Sequence, residues 1–391
     1  MPVRADRHAS AVRRALLALL AGAAFAAGVD AGSGAGNEPG PARPVVPPPV
    51  RAAVERFYDG YVRADGRVVR RDQGGDTVSE GQAYALLLAA AVGDRTRFAR
   101  VWRWTRAHLQ RPDGTLAWRW EGGRTVSRSA PEPAADADLD AARALALAAR
   151  RFDRPAYAAA ARRIGRGVLA HETTRAVGTR VLVAGPWARR DVVVNPSYFA
   201  PRAYAALHAL DHDPRWRVLR ASSERLARRL TDRAPGLPPD WAKVLPWGVV
   251  PVPRPGGDGA AAVGDAAASG PTYGYDAVRL PLRYAEACSA RQRALAARPW
   301  AALHLQATLT GGAVPAVQRL DGSPLTAGSH PAALAGAAAA AQAAGDRGAA
   351  GRLLDRADDV AAREPTYYGT ALAALARVAL TTDLLGRCRR T

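Results

Sequence analysis

Predicted helices follow one another along nearly the whole chain, and they occur in pairs. About a dozen helical segments can be recognised from hydrophobic periodicity, and the segment 96–109 shows the spacing of a single buried face. No fixed repeat length relates one pair to the next. Because an open solenoid normally shows such a repeat, the pattern favours helical hairpins closed into a ring. We therefore expect an all-α fold.

Residues 1–31 have the pattern of a secretory signal peptide. Arginines precede an apolar run, 15–26, that is too short for an ordinary membrane span, and small residues follow it. We expect a secreted or periplasmic protein without stable membrane insertion after cleavage, and an uncleaved anchor is the alternative. Residues 32–49 are rich in proline and glycine and are predicted to be a linker. Residues 50–391 are predicted to form a single domain.

The chain is strongly basic, with a formal net charge of +20 over 391 residues. Lys243 is its only lysine, and the arginines are scattered along the predicted helices, as is typical of solvated faces. A nucleic-acid-binding protein would show a basic stripe or a recognisable module. Neither is present, so nucleic acid is not expected as a partner, whereas attraction to an acidic surface or polymer is compatible with the charge.

The sequence contains two cysteines, Cys288 and Cys388. An exported form could carry one disulfide, but the spacing does not show whether the two residues pair. There is no cysteine pair of the kind that binds a metal, and no cofactor is expected.

Acidic residues mark the starts of three predicted helices. Ser79 is a good N-cap, so Glu80 would lie in the first turn of a helix, where free N–H groups favour a negative charge. Asp136 and Asp138 open a second helix, and Asp276 opens a third. In a ring of hairpins the starts of the inner helices can face one mouth, so these carboxylates could line a single cleft.

Each of these carboxylates also has an ordinary structural interpretation. Glu80 could simply favour a helix start, and Asp136 and Asp138 could be N-caps. Asp276 could form an ion pair with Arg279, three residues later in the same helix.

Many aromatic residues lie in loops or near helix starts rather than at helical spacing. They are Trp118, Trp120, Trp187, Tyr198, Trp241, Trp247, Tyr273 and Tyr275. Exposed aromatic faces suit the C–H face of a sugar, although packing within loops would explain any one of them equally well. The long glycine- and proline-rich region 234–274 is expected to carry function. Glycosidic cleavage needs two carboxylates in different environments, which this chain could supply without a metal.

Five motifs, in order along the chain, together resemble glycoside hydrolase family 8. They are VSEGQAY at 78–84, DGTLAWRW at 113–120, ADADL at 135–139, NPSYF at 195–199 and YDAVRLP at 275–281. The resemblance implies an (α/α)6 barrel with an open cleft and an inverting mechanism acting mostly on β-1,4-linked glucans. The chain is most similar to the endoglucanases, or cellulases, that accompany bacterial cellulose synthesis. That similarity implies a functional association with the synthesis machinery, and we expect a monomer.

The resemblance also implies roles for individual residues. Glu80 would be the general acid, Asp276 the general base that activates water, and Asp136 the group that holds the distorted sugar. Substrate contacts and orienting roles are expected from Trp118 as a stacking platform, Tyr198, Arg279 beside Asp276, Tyr275 and Asp138. For an inverting enzyme we expect roughly 6.5–9.5 Å between the carboxyl groups of Glu80 and Asp276.

The chain departs from the family pattern at three small residues. Ala135 stands where serine or threonine is usual, Ala141 replaces a larger apolar residue, and Ala83 stands where glycine is common. These changes bear on the posture of Asp136 more than on the chemistry, because no proposed catalytic carboxylate is lost.

Two alternatives to an endoglucanase follow from the same residues. The first is the same scaffold acting as a xylanase, lichenase or chitosanase, of which a chitosanase is disfavoured because chitosan is cationic and this chain is basic. The second is a catalytically silent glycan-binding protein. The three intact carboxylates argue against it, since binding alone does not need groups in opposed protonation states.

Overall fold

The computed structural model describes residues 44–126, 132–255 and 270–388. The predicted signal peptide and most of the predicted linker lie outside these residues. The first helix, α1 (Pro48–Tyr61), begins inside the segment predicted as linker. Pro48 and Pro49 occupy its first turn, where a proline loses no helical hydrogen bond.

An inner ring of helices surrounds the centre of the molecule. Its members are α2 (Ser79–Val92), α4 (Ala135–Arg151), α6 (Pro201–Asp211), α8 (Arg279–Ala285), α11 (Pro331–Ala343) and α13 (Tyr367–Thr381). Each packs against the next, and α13 packs against α2, which closes the ring. The alanine-rich helices α2 and α11 are buried on nearly all sides, as expected for helices that are apolar all round.

An outer helix packs against each inner helix. These are α1 on α13, α3 (Arg95–His108) on α2, α5 (Pro155–His171) on α4, α7 (Pro214–Leu230) on α6, α9 (Ala290–Ala297) on α8 and α12 (Arg347–Arg363) on α11. The outer helices bury one face only, as amphipathic helices do. Six hairpins therefore form a closed ring, and the predicted all-α (α/α)6 barrel is confirmed.

One predicted helix is interrupted. The segment 291–309 reads as a single helix, but the structure has α9 ending at Ala297 and α10 (Trp300–Leu309) beginning after Pro299. The break follows from Pro299, which has no N–H to donate within a helix and whose ring clashes with the preceding turn.

Short strands connect the helices. One sheet is β1 (Thr77–Val78), β2 (Arg119–Glu121) and β3 (Arg124–Thr125), and a hairpin is β4 (Thr173–Ala176) with β5 (Thr179–Leu182). A second sheet is β6 (Val193–Val194), β7 (Trp241–Leu245) and β8 (Gly248–Val252), and β9 (Thr272–Tyr273) pairs with β10 (Gln318–Arg319). The described part of the 234–274 region thus consists of the β7–β8 hairpin, the short strand β9 and loops.

Cys288 and Cys388 form a disulfide, with their Cα atoms 5.2 Å apart. It joins the segment after α8 to the chain after α13. Within the described ranges, no helix has both the length and the apolar character needed to span a membrane.

Candidate active site

The N-terminal ends of the inner helices meet at one end of the ring, which we call the mouth. Glu80 lies in the first turn of α2, and Asp136 lies in the first turn of α4. Asp276 comes shortly before α8, and Tyr367 is the first residue of α13. The ring thus brings together carboxylates that are distant in sequence, as the sequence predicted.

Arg279 binds all three of the predicted catalytic carboxylates. Its Nη1 donates to Oε2 of Glu80 at 2.7 Å and to Oδ2 of Asp136 at 2.6 Å. Its Nη2 donates to Oδ1 of Asp276 at 2.6 Å. Only 2% of the Arg279 side chain is exposed, and the guanidinium lies 5.2 Å from the centre of the Tyr198 ring. The ion pair expected between Asp276 and Arg279 is therefore present, and it is one of three ion pairs that Arg279 forms with the site carboxylates.

The backbone around Glu80 differs slightly from the expectation. Ser79 does not act as an N-cap, because α2 already begins at Ser79 and Val78 is the capping residue. The Ser79 N–H donates instead to the carbonyl oxygen of Trp118 at 2.9 Å. Glu80 keeps its expected place in the first turn, and the segment that carries Trp118 lies directly beside it.

Tyr367 is a neighbour of Glu80 that the sequence did not reveal. Its hydroxyl donates to Oε1 of Glu80 at 3.3 Å. A Cβ atom at Gly81 would lie only 2.7 Å from the Tyr367 hydroxyl oxygen, so the glycine after Glu80 makes room for this ring. The contact explains why glycine follows glutamate in this motif.

Burial raises the pKa of Glu80 from its ordinary 4.5 to about 7. The positive charge of Arg279 opposes this rise, whereas the negative charges of Asp136 and Asp276 add to it. A fifth of the side chain, 22%, is still exposed at the mouth. Glu80 can therefore hold a proton near neutral pH and present it to a ligand.

Asp136 is nearly buried beneath the mouth. Its Oδ2 accepts from Arg279, and its Oδ1 accepts from the N–H of Ala137 at 2.9 Å. Burial raises the pKa of its carboxyl group. The N-cap of α4 is Ala134, so the N-capping interpretation does not describe Asp136.

Asp240 holds the loop that carries Asp276. Its Oδ1 accepts from the N–H groups of Gly274 at 3.1 Å and Ala277 at 2.7 Å, and its Oδ2 accepts from the Thr272 hydroxyl at 2.8 Å. A Cβ atom at Gly274 would lie 2.7 Å from Oδ2 of Asp240, so a larger residue there would displace the Asp240 carboxyl group. Asp240 lies in the proline-rich segment before β7, where no sequence signal set it apart.

Asp138 corrects one of the sequence predictions. It was expected to contact substrate, but its side chain is fully buried, and its Oδ1 accepts from the N–H of Leu116 at 2.9 Å. A residue two positions after Asp136 points away from the mouth because helical side chains rotate by about 100° per residue. The other oxygen of Asp138, Oδ2, receives no hydrogen bond from a described donor, and its carboxyl neighbour is Glu172, which is also fully buried and which the sequence did not single out.

Aromatic side chains flank the carboxylates. Trp118 is half-buried, and Arg119 lies 5.8 Å above its ring. Tyr198 is also half-buried and packs edge-to-face with Trp241, with ring centres 6.2 Å apart. The ring centres of Trp241 and Trp187 are 6.1 Å apart, and 45% of Trp187 is exposed. These rings extend the apolar surface outward from the buried Arg279 cluster.

Tyr275 lies on the α11 and α13 side of the mouth. Its ring packs edge-to-face with His330 at 5.0 Å, and its carbonyl oxygen accepts from the Tyr368 hydroxyl at 2.7 Å. Burial lowers the pKa of His330 to about 4, so its imidazole is neutral at ordinary pH. Tyr275 is thus held in place beside Asp276, where the sequence predicted a substrate contact.

The described residues contain no group of three or more His, Cys, Asp and Glu side chains arranged to hold a metal ion. The oxygens of the three clustered carboxylates face the guanidinium of Arg279. The site's visible chemistry is therefore that of carboxyl groups held by one arginine.

Known proteins share both the sequence pattern and the fold. The family model for glycosyl hydrolases family 8 matches residues 42–382. A probable endoglucanase of Novacetimonas hansenii is 34% identical over 232 residues, which are 58% of this chain and 64% of that protein. An endoglucanase of Cellulomonas uda is 29% identical over 248 residues, which are 59% of this chain and 62% of that protein. The matched stretches therefore span less than two thirds of either relative.

A solved structure covers more of the chain. The endo-β-1,4-glucanase of Acetobacter xylinum superposes with a TM-score of 0.69 at 29% identity, over 85% of this chain and 98% of that one. Because the family model spans almost all of the described residues, the chain belongs to glycosyl hydrolase family 8.

Proposed function

We propose that this protein is an inverting endo-β-1,4-glucanase that hydrolyses cellulose or a related β-glucan. The observation that carries the proposal is the contact of Arg279 with Glu80, Asp136 and Asp276 at one end of the ring. One buried cation holds three carboxyl groups in different surroundings, and glycosidic cleavage requires carboxyl groups whose protonation states differ.

Glu80 is the general acid in this proposal. Its pKa of about 7 lets it carry a proton at neutral pH and donate that proton to the leaving glycosidic oxygen. Tyr367 and Arg279 each hold one carboxyl oxygen of Glu80, which fixes the direction in which the group faces. A glutamate fixed in this way is suited to protonate a bond that lies across the mouth.

Asp276 is the general base. With Tyr275, Asp240 and Trp241 it lines a pocket of about 20 Å³, which is room for one water molecule. Nη2 of Arg279 holds Oδ1 of Asp276 at 2.6 Å, which fixes the position of the carboxyl group beside this pocket. Asp276 would remove a proton from water as the water attacks the anomeric carbon from the face opposite Glu80.

Asp136 and the aromatic rings bind the sugar. Asp136 shares Nη1 of Arg279 with Glu80 and would hydrogen-bond a sugar hydroxyl at the cleavage point. Trp118, Tyr198 and Tyr275 would contact the apolar faces of neighbouring sugars. The preference for β-1,4-linked glucan is supported by the names of the relatives, which are endoglucanases.

The proposal extends to where the enzyme works. The disulfide between Cys288 and Cys388 favours an oxidising compartment, in agreement with the predicted signal peptide and a secreted or periplasmic location. We further propose that the enzyme acts as a monomer and in functional association with the cellulose-synthesis machinery. Copurification with that machinery, and light scattering of the purified protein, test these two points.

Release of reducing ends by the purified protein tests the activity. The substrates are carboxymethylcellulose, mixed-linkage glucan, xylan and chitosan, with Glu80→Gln as the inactive control. Preference for a β-glucan and loss of release in Glu80→Gln are expected. Release of reducing ends from xylan or chitosan alone would mean that the proposed substrate is wrong. Oligosaccharide binding without any release would mean that the protein is a catalytically silent glycan-binding protein. The anomeric form of the first product, followed by NMR, tests inversion.

A further inference from the structure

Two carboxyl groups outside the catalytic cluster face each other in the interior. Asp138 lies on the first turn of α4, and Glu172 follows α5 directly; neither has exposed surface. The two side chains are hydrogen-bonding neighbours, and no donor that the structure describes reaches Oδ2 of Asp138 or either carboxyl oxygen of Glu172. Two ionised carboxylates have only acceptors, so a bond between them needs a proton on one of them.

The surrounding bonds place that proton on Glu172. Oδ1 of Asp138 accepts from the Leu116 N–H, which stabilises a negative charge on Asp138. Glu172 has no other hydrogen-bond donor for either of its carboxyl oxygens within the described structure. The protonated Glu172 therefore donates to Oδ2 of Asp138, the oxygen that Leu116 leaves open.

The pair connects the segments that carry the site. Asp138 binds Leu116, two residues before Trp118, and the Trp118 carbonyl accepts from the N–H of Ser79, next to Glu80. On the other side, the backbone carbonyl of Glu172 accepts from the N–H of Val183. The carbonyl of Ala184, the residue after Val183, accepts from the N–H of Ala135, which precedes Asp136. The pair is thus where the segment 113–118, the start of α4 and the end of α5 meet.

We propose that Asp138 and Glu172 are a positioning pair, whose single shared proton holds Asp136 and Trp118 in the places that the reaction needs. This role rests on the proposed function, but the shared proton itself does not, since it can be measured without substrate.

Two further acidic groups near the pair act in the same direction, and the nearby arginines are bound to other partners. Asp113, on the turn before Thr115, and Asp136, on α4, both disfavour a second negative charge there. Arg111 is bound to Asp113, and the guanidinium of Arg180 on β5 binds the Thr173 hydroxyl. Burial raises the pKa of Glu172 well above its ordinary value. The pair therefore keeps its proton at a pH where an exposed carboxyl group is fully ionised.

Linkage gives the sign of the effect on stability. The folded pair holds one proton, whereas in the unfolded chain both groups have ionised above about pH 5. Unfolding then releases a proton, so the unfolding equilibrium constant rises about tenfold per pH unit on account of this pair. Glu172→Gln removes this dependence, because its amide donates to Asp138 without titrating.

The test introduces Glu172→Gln into a Glu80→Gln parent, so that the raised pKa of Glu80 does not contribute. The unfolding equilibrium constant is measured with denaturant at about pH 7 and about pH 8. The ratio of its values at the two pH values should be about tenfold smaller in Glu172→Gln than in the parent. The infrared band of a protonated carboxyl group should be present in the parent at about pH 8 and absent in Glu172→Gln. Equal pH slopes and equal bands in the two proteins would overturn the shared proton.

The positioning role is tested in the otherwise unchanged enzyme. Glu172→Ala should lower turnover about tenfold or more, and Glu172→Gln should restore most of it, because the amide keeps the bond to Asp138. If Glu172→Ala turned over at the parent rate, the pair would not position the site. If the parent itself released no reducing ends, the proposed function would fail while the proton measurements stood.

Discussion

Glu80 and Arg279 are 199 residues apart in sequence, yet Oε2 of one accepts from Nη1 of the other at 2.7 Å. The same nitrogen also binds Asp136, and the other terminal nitrogen binds Asp276. Arg279 therefore fixes the spacing of the carboxyl groups and also opposes the rise in the pKa of Glu80. Both effects can be separated by experiment.

Removal of the proposed acid or base should abolish turnover without unfolding the protein. Glu80→Gln and Asp276→Asn keep the shape of each side chain and an oxygen that can accept from Arg279, so the protein should stay folded. Because an amide cannot give or take the proton, each variant should lower turnover roughly 10²–10⁴-fold or more. Reducing-sugar release on a β-glucan measures the effect. Glu55→Gln on the outer helix α1, which removes a carboxylate bound to Arg97, is the control and should turn over normally. Near-normal turnover in either site variant would mean that its assigned role is wrong.

Activity should fall on the alkaline side as the pH rises through about 7. As the proposed general acid, Glu80 would have to be protonated to act, and its pKa is about 7 in the folded protein. The pH profile of kcat/KM measures this limb directly. The same raised pKa makes the free energy of unfolding fall as the pH rises from about 4.5 to about 7, because the folded state holds a proton that the unfolded chain releases. Glu80→Gln should lack this part of the pH dependence of stability.

Arg279→Lys should lower turnover at least 100-fold and move the alkaline limb of any residual activity upward. A lysine has a single ammonium group and cannot hold three carboxylates in the same geometry. Since Arg279 lowers the pKa of Glu80, weaker contact should let that pKa rise. Arg283→Lys is the control, because Arg283 forms a buried ion pair with Asp140 and touches none of the three site carboxylates. A downward shift of the limb in Arg279→Lys would contradict the assigned electrostatics.

Gly81→Ala should destabilise the protein by about 1–3 kcal/mol and reduce turnover, because its Cβ would lie 2.7 Å from the Tyr367 hydroxyl oxygen. Gly351→Ala is a matched control in α12, where a Cβ atom meets nothing within 4 Å. It should leave stability unchanged or raise it by about 0.5–1 kcal/mol, as alanine favours a helix over glycine. Thermal unfolding of both variants gives the comparison, and equal effects would argue against the contact with Tyr367.

Reduction of the disulfide should lower the free energy of unfolding by roughly 2–5 kcal/mol. Cys288 and Cys388 are separated by 100 residues, so the bond constrains a long stretch of the unfolded chain. Denaturant unfolding with and without a reducing agent measures the loss. The double variant Cys288→Ser/Cys388→Ser should match the reduced protein and should not respond to the reducing agent. An unchanged midpoint on reduction would mean that the two cysteines are not paired in solution.

Several features of the site were predictable because they are local. Glu80, Asp136 and Asp276 each lie at or near the start of a helix, and helix starts can be read from hydrophobic periodicity and polar residues. The pairing of helices into a closed ring then implied one common mouth. Local pattern and ring closure together were enough to bring these carboxylates into one site.

The remaining features depend on contacts between distant segments. Glu172 meets Asp138 and Tyr367 meets Glu80 only after folding, so no spacing in the sequence relates them. Asp138 was misassigned for a different reason: it is close to Asp136 in sequence but lies on another side of the helix. Ser79 was predicted as an N-cap, but a backbone bond to Trp118 fixes its position instead.

The closure of the ring by α1, α2 and α13 also has a consequence for biosynthesis. Tyr367 comes 287 residues after the glutamate that it contacts, and the outer helix α1 packs on α13. A growing chain that has not yet produced α13 has neither this hydroxyl nor a closed barrel. Contacts between segments so far apart also form slowly. The barrel therefore closes only after α13 has been made, and fragments that stop before α13 should lack the contact between Tyr367 and Glu80.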